Sequence, residues 1–317
     1  MNPTSPPSHP ATGPVKKWRW LLLTFLLPIL ACSLWAGGPF GSTQPAFQPT
    51  GQIVFECWPE RRTSHLCVVN ADGSGYKQLT FQTTDKWPTW SPDGKRIVFG
   101  RQINDQDFTT VLFVMNLDGS NLVQLTDVSI YAAGPIWSPS GDQIAFTYHD
   151  KKNNSSGIAL VSPQGGGVIS LTNSSEGEPH WSPDGKRIAY AIYKPINTNT
   201  YTSYIYIMNS DGSNRTRLTS TNSNSPSWSP DGTKIVFTCG GVCVMNSDGS
   251  GSTLLDQHGL SPSWSPDGQY IVFYKSDPAC ILCPTSGQLW IMRADGSQQT
   301  KLTDGPVDQN PAWQSEP

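Results

Sequence analysis

Short apolar runs recur along the chain, each bounded by turn-forming residues. They read Gln-Ile-Val-Phe (Gln52–Phe55), Arg-Ile-Val-Phe (Arg96–Phe99), Gln-Ile-Ala-Phe (Gln143–Phe146), Arg-Ile-Ala-Tyr (Arg187–Tyr190), Lys-Ile-Val-Phe (Lys234–Phe237) and Tyr-Ile-Val-Phe (Tyr270–Phe273). All but the first follow a Trp-Ser-Pro-Asp-Gly phrase or a near variant, and these phrases begin at Trp90, Trp137, Trp181, Trp228 and Trp264. Ser at i, Pro at i+1 and Gly at i+3 are what a type I turn prefers, so each phrase predicts a tight hairpin between two strands. A third strand is predicted in runs such as Val-Leu-Phe-Val-Met-Asn (Val111–Asn116) or Tyr-Ile-Tyr-Ile-Met-Asn (Tyr204–Asn209). An Asp-Gly-Ser turn and a short fourth strand ending in Leu-Thr then close the unit. The runs are continuous rather than alternating, which fits strands buried on both faces. Beyond the first 36 residues no long segment shows the three-and-four apolar spacing of an amphipathic helix.

A degenerate copy of the Trp phrase begins at Trp313, and the successive gaps between copies are 47, 44, 47, 36 and 49 residues. That spacing brackets the period of a propeller blade and exceeds that of leucine-rich or ankyrin units. There are six copies of the second strand, but the first, at Gln52–Phe55, has no Trp phrase before it. The missing strand is supplied by Gln309–Gln314 at the other end of the chain. The expected fold is all-β: a six-bladed propeller whose C-terminal strand completes the first blade, leaving no open sheet edge. The repeated Trp would fill the wedge between neighbouring blades.

Composition agrees with many short strands: 29 Gly, 27 Pro and 12 Trp, with only 14% charged residues. Three basic residues, Lys16, Lys17 and Arg19, precede a 17-residue uncharged stretch from Trp20 to Ala36. A positive flank followed by an apolar run is an export signal or a signal anchor. The run Ile29-Leu30-Ala31-Cys32 resembles a bacterial lipobox, which makes Cys32 a candidate for lipidation, and an uncleaved anchor is the alternative. Residues 1–36 are thus expected to address the chain to a membrane, 37–50 to form a Gly/Pro/Ser-rich linker, and 51–317 to form the propeller outside the cytoplasm. The rest of the chain carries 18 basic against 24 acidic residues. A net negative domain is a poor match for phosphate, so nucleic acid is not an expected partner.

The Pro-x-Trp-Ser-Pro-Asp-Gly, Ile-Val-Phe, Val-Met-Asn-x-Asp-Gly-Ser and Gln-Leu-Thr phrases resemble the WD40-like β-propeller repeat of the TolB family, over nearly all the chain from Gly51. The resemblance implies the fold and says less of function. TolB carries an α/β domain ahead of its propeller, which binds other envelope proteins, whereas about 50 residues stand ahead of the first strand here, so a Tol-system role is not expected. Similar propellers precede the hydrolase domain of prolyl-oligopeptidase-like enzymes, and an oligogalacturonate lyase uses a propeller with clustered His and a metal.

With Cys32 set aside, six Cys fall as Cys57 with Cys67, Cys239 with Cys243, and Cys280 with Cys283. Each pair lies around the second and third strands of one blade, within reach of a disulfide in an oxidising compartment. Six Cys allow 15 connectivities, so the pairing stays open. Cys280 and Cys283 alone also have a metal-like spacing, but no second Cys or His pair accompanies them. No nucleophile elbow, zinc-helix or phosphate-loop motif is present. His65, His149, His180 and His258 lie in different repeats, and the Asn-x-Asp-Gly-Ser phrases read as turns rather than calcium loops. No cofactor or metal is expected.

By strand order, both tight turns of every blade fall on one face of the disc and the variable loops on the other, where binding surfaces are usually built. Connections approaching the central channel are expected to present Asp85, Lys86, Trp87, Tyr131, Glu178, His180, Asp256, His258, Asp308 and Asn310 as ligand contacts. The expected function is a monomeric, membrane-attached, non-catalytic binding or scaffold module for an envelope or extracellular protein or a polysaccharide. The alternative is a lyase-like or hydrolytic propeller enzyme with its site at the channel mouth.

Overall fold

The computed structural model describes residues 47–59, 63–81, 83–104, 106, 108–197, 200–276 and 287–314. The chain divides into two units at Pro45/Ala46. Only the second falls among the described residues. The leading apolar segment with Cys32, and the Cys280–Cys283 pair, therefore lie outside them. No helix among the described residues is long and apolar enough to cross a membrane.

Among the described residues, 24 strands form six antiparallel four-stranded sheets. Five blades are contiguous, and their inner strands are Asp85–Trp90, Ile130–Trp137, Glu176–Trp181, Asn224–Trp228 and Gly259–Trp264. The remaining sheet, blade 1, takes its inner strand Asp308–Trp313 from the far end of the chain. There Ile53 pairs with Trp313 and Cys57 with Asp308, so the ring closes as the repeat predicts. Just ahead of the first strand, Phe47 packs edge-on against Tyr270 at 5.1 Å, and the Gln48 N–H donates to its hydroxyl. An apolar ring at position 47 has surface to bury, and the neighbouring blade provides it.

Each phrase of the repeat has a local reason. In the hairpin turn the Gly94 N–H donates to the Ser91 carbonyl, and the Ser91 hydroxyl accepts from the Arg96 N–H at 2.9 Å. The same turn recurs at Ser138, Ser182, Ser229 and Ser265. The Thr of Leu-Thr accepts the N–H of a third-strand residue fourteen positions earlier in five blades: Leu66 to Thr80, Leu112 to Thr126, Ile158 to Thr172, Ile205 to Thr219 and Leu289 to Thr303. In blade 5 Asp256 takes that place, pairing across the sheet with Val242.

The core is six clusters rather than one. Each cluster joins two adjacent blades and contains one repeated Trp: Trp90, Trp137, Trp181, Trp228, Trp264 and Trp313. The wedge role predicted for these side chains is thus met in every interface. Guanidinium groups add to two of them, with Arg96 standing 4.8 Å from the Trp137 ring and Arg187 4.6 Å from the Trp228 ring. Cys57 is bonded to Cys67 and Cys239 to Cys243, so two of the three expected pairs are disulfides.

Candidate functional site

The inner strands all break at the same place. The residue before the Pro of x-Pro-x-Trp is left-handed in every blade: Trp87, Gly134, Glu178, Ser225, Ser261 and Asn310 have φ between 49° and 56°. A register shift marks the same point, for example between Lys86 and Thr89 and between Gly177 and His180. Five of the six are not glycine, a conformation costing roughly 1–2 kcal/mol for each L-residue. Side chains and backbone from the neighbouring strands hold it. Four of the freed N–H groups donate to an acceptor on the preceding blade: Trp87 to Glu56 at 2.7 Å, Glu178 to Thr147 at 3.1 Å, Ser225 to Glu178 at 2.6 Å and Ser261 to Thr238 at 3.1 Å. Glu56, Thr147 and Thr238 all follow an Ile-x-Phe run directly. In blade 4 that position is Ala191, which has no acceptor, and the Glu178 carboxylate serves instead.

These six positions ring a central channel of about 1120 Å³. A left-handed position shared by every blade, strained in the five that are not glycine and bordering one cavity, marks this ring as the candidate site. The ring is uneven. Trp87 and Glu178 stand on either side of Gly134, while Ser225, Ser261 and Asn310 supply small polar groups to the remainder. The Trp87 indole rests on Gly100, where a Cβ would lie 3.1 Å from the ring. Glu178 accepts the Ser225 N–H and the Tyr193 hydroxyl, and burial, with the nearby Glu178 carboxylate adding to it, pushes the Tyr193 hydroxyl far above its ordinary range. His180 approaches the Ser227 hydroxyl at 3.3 Å and the Trp228 N–H at 3.4 Å, and burial lowers its pKa to about 4, so it is neutral at pH 7. On the side of blade 3, His149 Nδ1 bonds the Ser156 hydroxyl at 2.8 Å. Among the described residues no Lys or Arg lines the channel.

Of the ten residues expected as ligand contacts, Trp87, Tyr131, Glu178, His180 and Asn310 line the channel. They sit on inner strands, not on loops. Lys86 lies outside the lining, its ammonium 5.7 Å from the Trp87 ring centre. Asp85 is wholly buried, and Arg101 grips it with two hydrogen bonds of 2.8 and 3.0 Å. Asp256 is held by Lys275 at 2.7 Å and with His258 borders a separate cavity of about 350 Å³. Asp308 is wholly buried, which raises its carboxyl to about 6. These acids begin or end strands at blade junctions, where they fix the chain instead of facing the axis. His180 and His258 therefore do not converge. No group of three or more His, Cys, Asp or Glu placed to hold a metal occurs among the described residues.

Sequence reasoning missed Gly134, Ser225, Ser261 and Tyr193. The first three were signalled by the x-Pro-x-Trp phrase, since the residue before each Pro occupies the ring. Tyr193 carries no such mark, because it reaches the axis from the long end of a second strand, Arg187–Pro195.

A closed six-bladed disc of antiparallel four-stranded sheets around a lined axial channel defines the class as a β-propeller. The chain belongs to the TolB beta propeller domain family, whose model matches residues 38–191 and 101–316. It is similar to the uncharacterized protein Atu1656 of Agrobacterium fabrum, 28% identical over 162 residues that make up 47% of this chain and 54% of that protein. The chain thus spans about half the length of that relative. In structure it is similar to TolB from Acinetobacter baumannii, with a TM-score of 0.68 and 22% identity, over 83% of this chain and 66% of that one. An oligogalacturonate lyase in complex with manganese shares the fold at a TM-score of 0.51 and 14% identity, over 81% of this chain and 74% of the lyase. At these identities the two structures show the fold alone.

Proposed function

We propose that this protein is an exported, membrane-attached binding module that receives part of an envelope or extracellular partner into its axial channel from the face of the variable loops. The observation that carries this reading is the ring of Trp87, Gly134, Glu178, Ser225, Ser261 and Asn310, held left-handed around an open cavity. Preformed concave sites with a few convergent polar groups are where ligands bind. Two disulfides suit an oxidising compartment, in keeping with export. Membrane attachment rests on the leading sequence, with Cys32 lipidation or an uncleaved anchor as its two forms.

The channel's charge narrows the ligand. A uronate polymer of the kind named for the lyase carries one carboxylate on each sugar, and a lining without Lys or Arg offers it no counter-charge. Neutral or cationic ligands are favoured. The test places a photo-reactive amino acid at Ser225 or Ser261 in the full chain in its native membrane. A discrete adduct from these positions and none from Lys95 on the tight-turn face is the expected result. Turnover of a glycan or peptide by the purified protein, abolished by Glu178→Gln or His180→Gln, would replace the binding module with an enzyme.

A further inference from the structure

The ring has one gap. At Gly134 a Cβ would meet no heavy atom within 4 Å, so a notch opens between Trp87 of blade 2 and Glu178 of blade 4. Glu178 brings a carboxylate to one side of this notch. Three acids near the blade junctions are ion-paired, Asp85 with Arg101, Glu176 with Arg215 and Asp256 with Lys275, while Asp308 lies outside the channel lining, as does Glu56, whose carboxylate is taken up by the Trp87 N–H and the Gln309 and Asn310 amides. Among the described residues Glu178 has no such cation, and its hydrogen bonds come from a backbone N–H and a phenol. A carboxylate kept in a channel without cations favours a ligand that carries one. Aromatic surface completes the setting, with the Trp87 indole seated on Gly100 and Tyr131 also lining the cavity.

We infer that the Gly134 notch is a subsite for the side chain of one Arg or Lys from an inserted polypeptide segment. The inference rests on the reading of the channel as a ligand site. The apolar stem of such a side chain would lie along the aromatic rings while its head reaches Glu178, and a guanidinium would also stack on the indole. An amino sugar carries its ammonium directly on the ring and has no stem to use that surface.

The experiment titrates the full chain by calorimetry with blocked pentapeptides carrying Arg, Lys or Gln at the centre, and with a glucosamine trimer. The Arg and Lys peptides are expected to bind at least about tenfold more tightly than the Gln peptide. Glu178→Gln, whose carbonyl can still accept the Ser225 N–H while its amide N–H donates to the Tyr193 hydroxyl, is expected to erase that difference. Gly134→Asn fills the notch with a residue that tolerates the left-handed conformation, as Asn310 does in blade 1, and is expected to abolish binding with an unchanged melting temperature. Equal binding of all three peptides, preference for the glucosamine trimer, or Arg-peptide binding that survives Gly134→Asn would overturn the subsite. In the first two cases loss of binding in Gly134→Asn would still support the channel as a ligand site, whereas a channel that no probe enters would remove both.

Discussion

Asp308 shows how one side chain sets a pH dependence. Its carboxyl titrates near 6 in the fold, raised by burial from an ordinary value of 3.8. Between those values the native protein holds a proton that the unfolded chain has released, so this group lowers stability as pH rises through the window. Asp308→Asn should therefore stabilise the protein at pH 7 by an amount on the order of 2 kcal/mol, with the gain fading below about pH 4. Denaturant unfolding of both forms at pH 4 and pH 7 checks it, and a gain independent of pH would refute it. The exposed turn residues Asp72, Asp118, Asp211 and Asp248 work in the opposite sense. Hydrogen bonds from Ser hydroxyls hold their carboxyls low, so their contribution is present above the unfolded pKa and is lost in acid.

The inner strand is the element that turns a repeat into a site. Its x-Pro bulge costs backbone strain in five blades, and that strain is released by the one residue indifferent to the sign of φ. At Ser225, with φ of 49°, glycine should leave stability unchanged or raise it by up to about 1 kcal/mol. Valine at the same position should fall at least about 2 kcal/mol below glycine, because a β-branched side chain resists the left-handed region. Melting curves of Ser225→Gly and Ser225→Val give the comparison. Equal stability of the two would mean that the ring is not strained.

For the whole molecule, closure is the cooperative step. Blade 1 is stitched from both ends of the chain, and Trp313 is its wedge against Tyr270 and Leu289 of blade 6. Its indole N–H also donates to the Thr50 carbonyl at 2.9 Å. Trp313→Ala should cost about 3–5 kcal/mol, as for a large core residue, and unlike the same change elsewhere it should also expose the Gln52–Cys57 strand edge. Raised hydrogen exchange in residues 52–57 of this variant, and not in Trp228→Ala, is the expected signature.

The repeat determined the fold by itself, because the wedge Trp, the hairpin turn, the apolar second strand and the Leu-Thr cap each act over a few residues, the Trp and the second strand recurring six times and the turn and the cap five times. A local signal repeated at a blade's period leaves one way to bury every strand on both faces. The disulfides Cys57–Cys67 and Cys239–Cys243 were legible for the same reason, since each lies within one blade, the first joining two neighbouring strands and the second joining the residue after the Lys234–Thr238 strand to the strand that follows. The site was only half legible: Trp87, Tyr131, Glu178, His180 and Asn310 reached the channel, while Asp85, Asp256 and Asp308 turned into the blade junctions. Which way an acid faces depends on whether Arg101 or Lys275 waits across the sheet, and on a bulge that reverses the alternation of the strand. Those are contacts between distant parts of the chain, and only the assembled ring decides them.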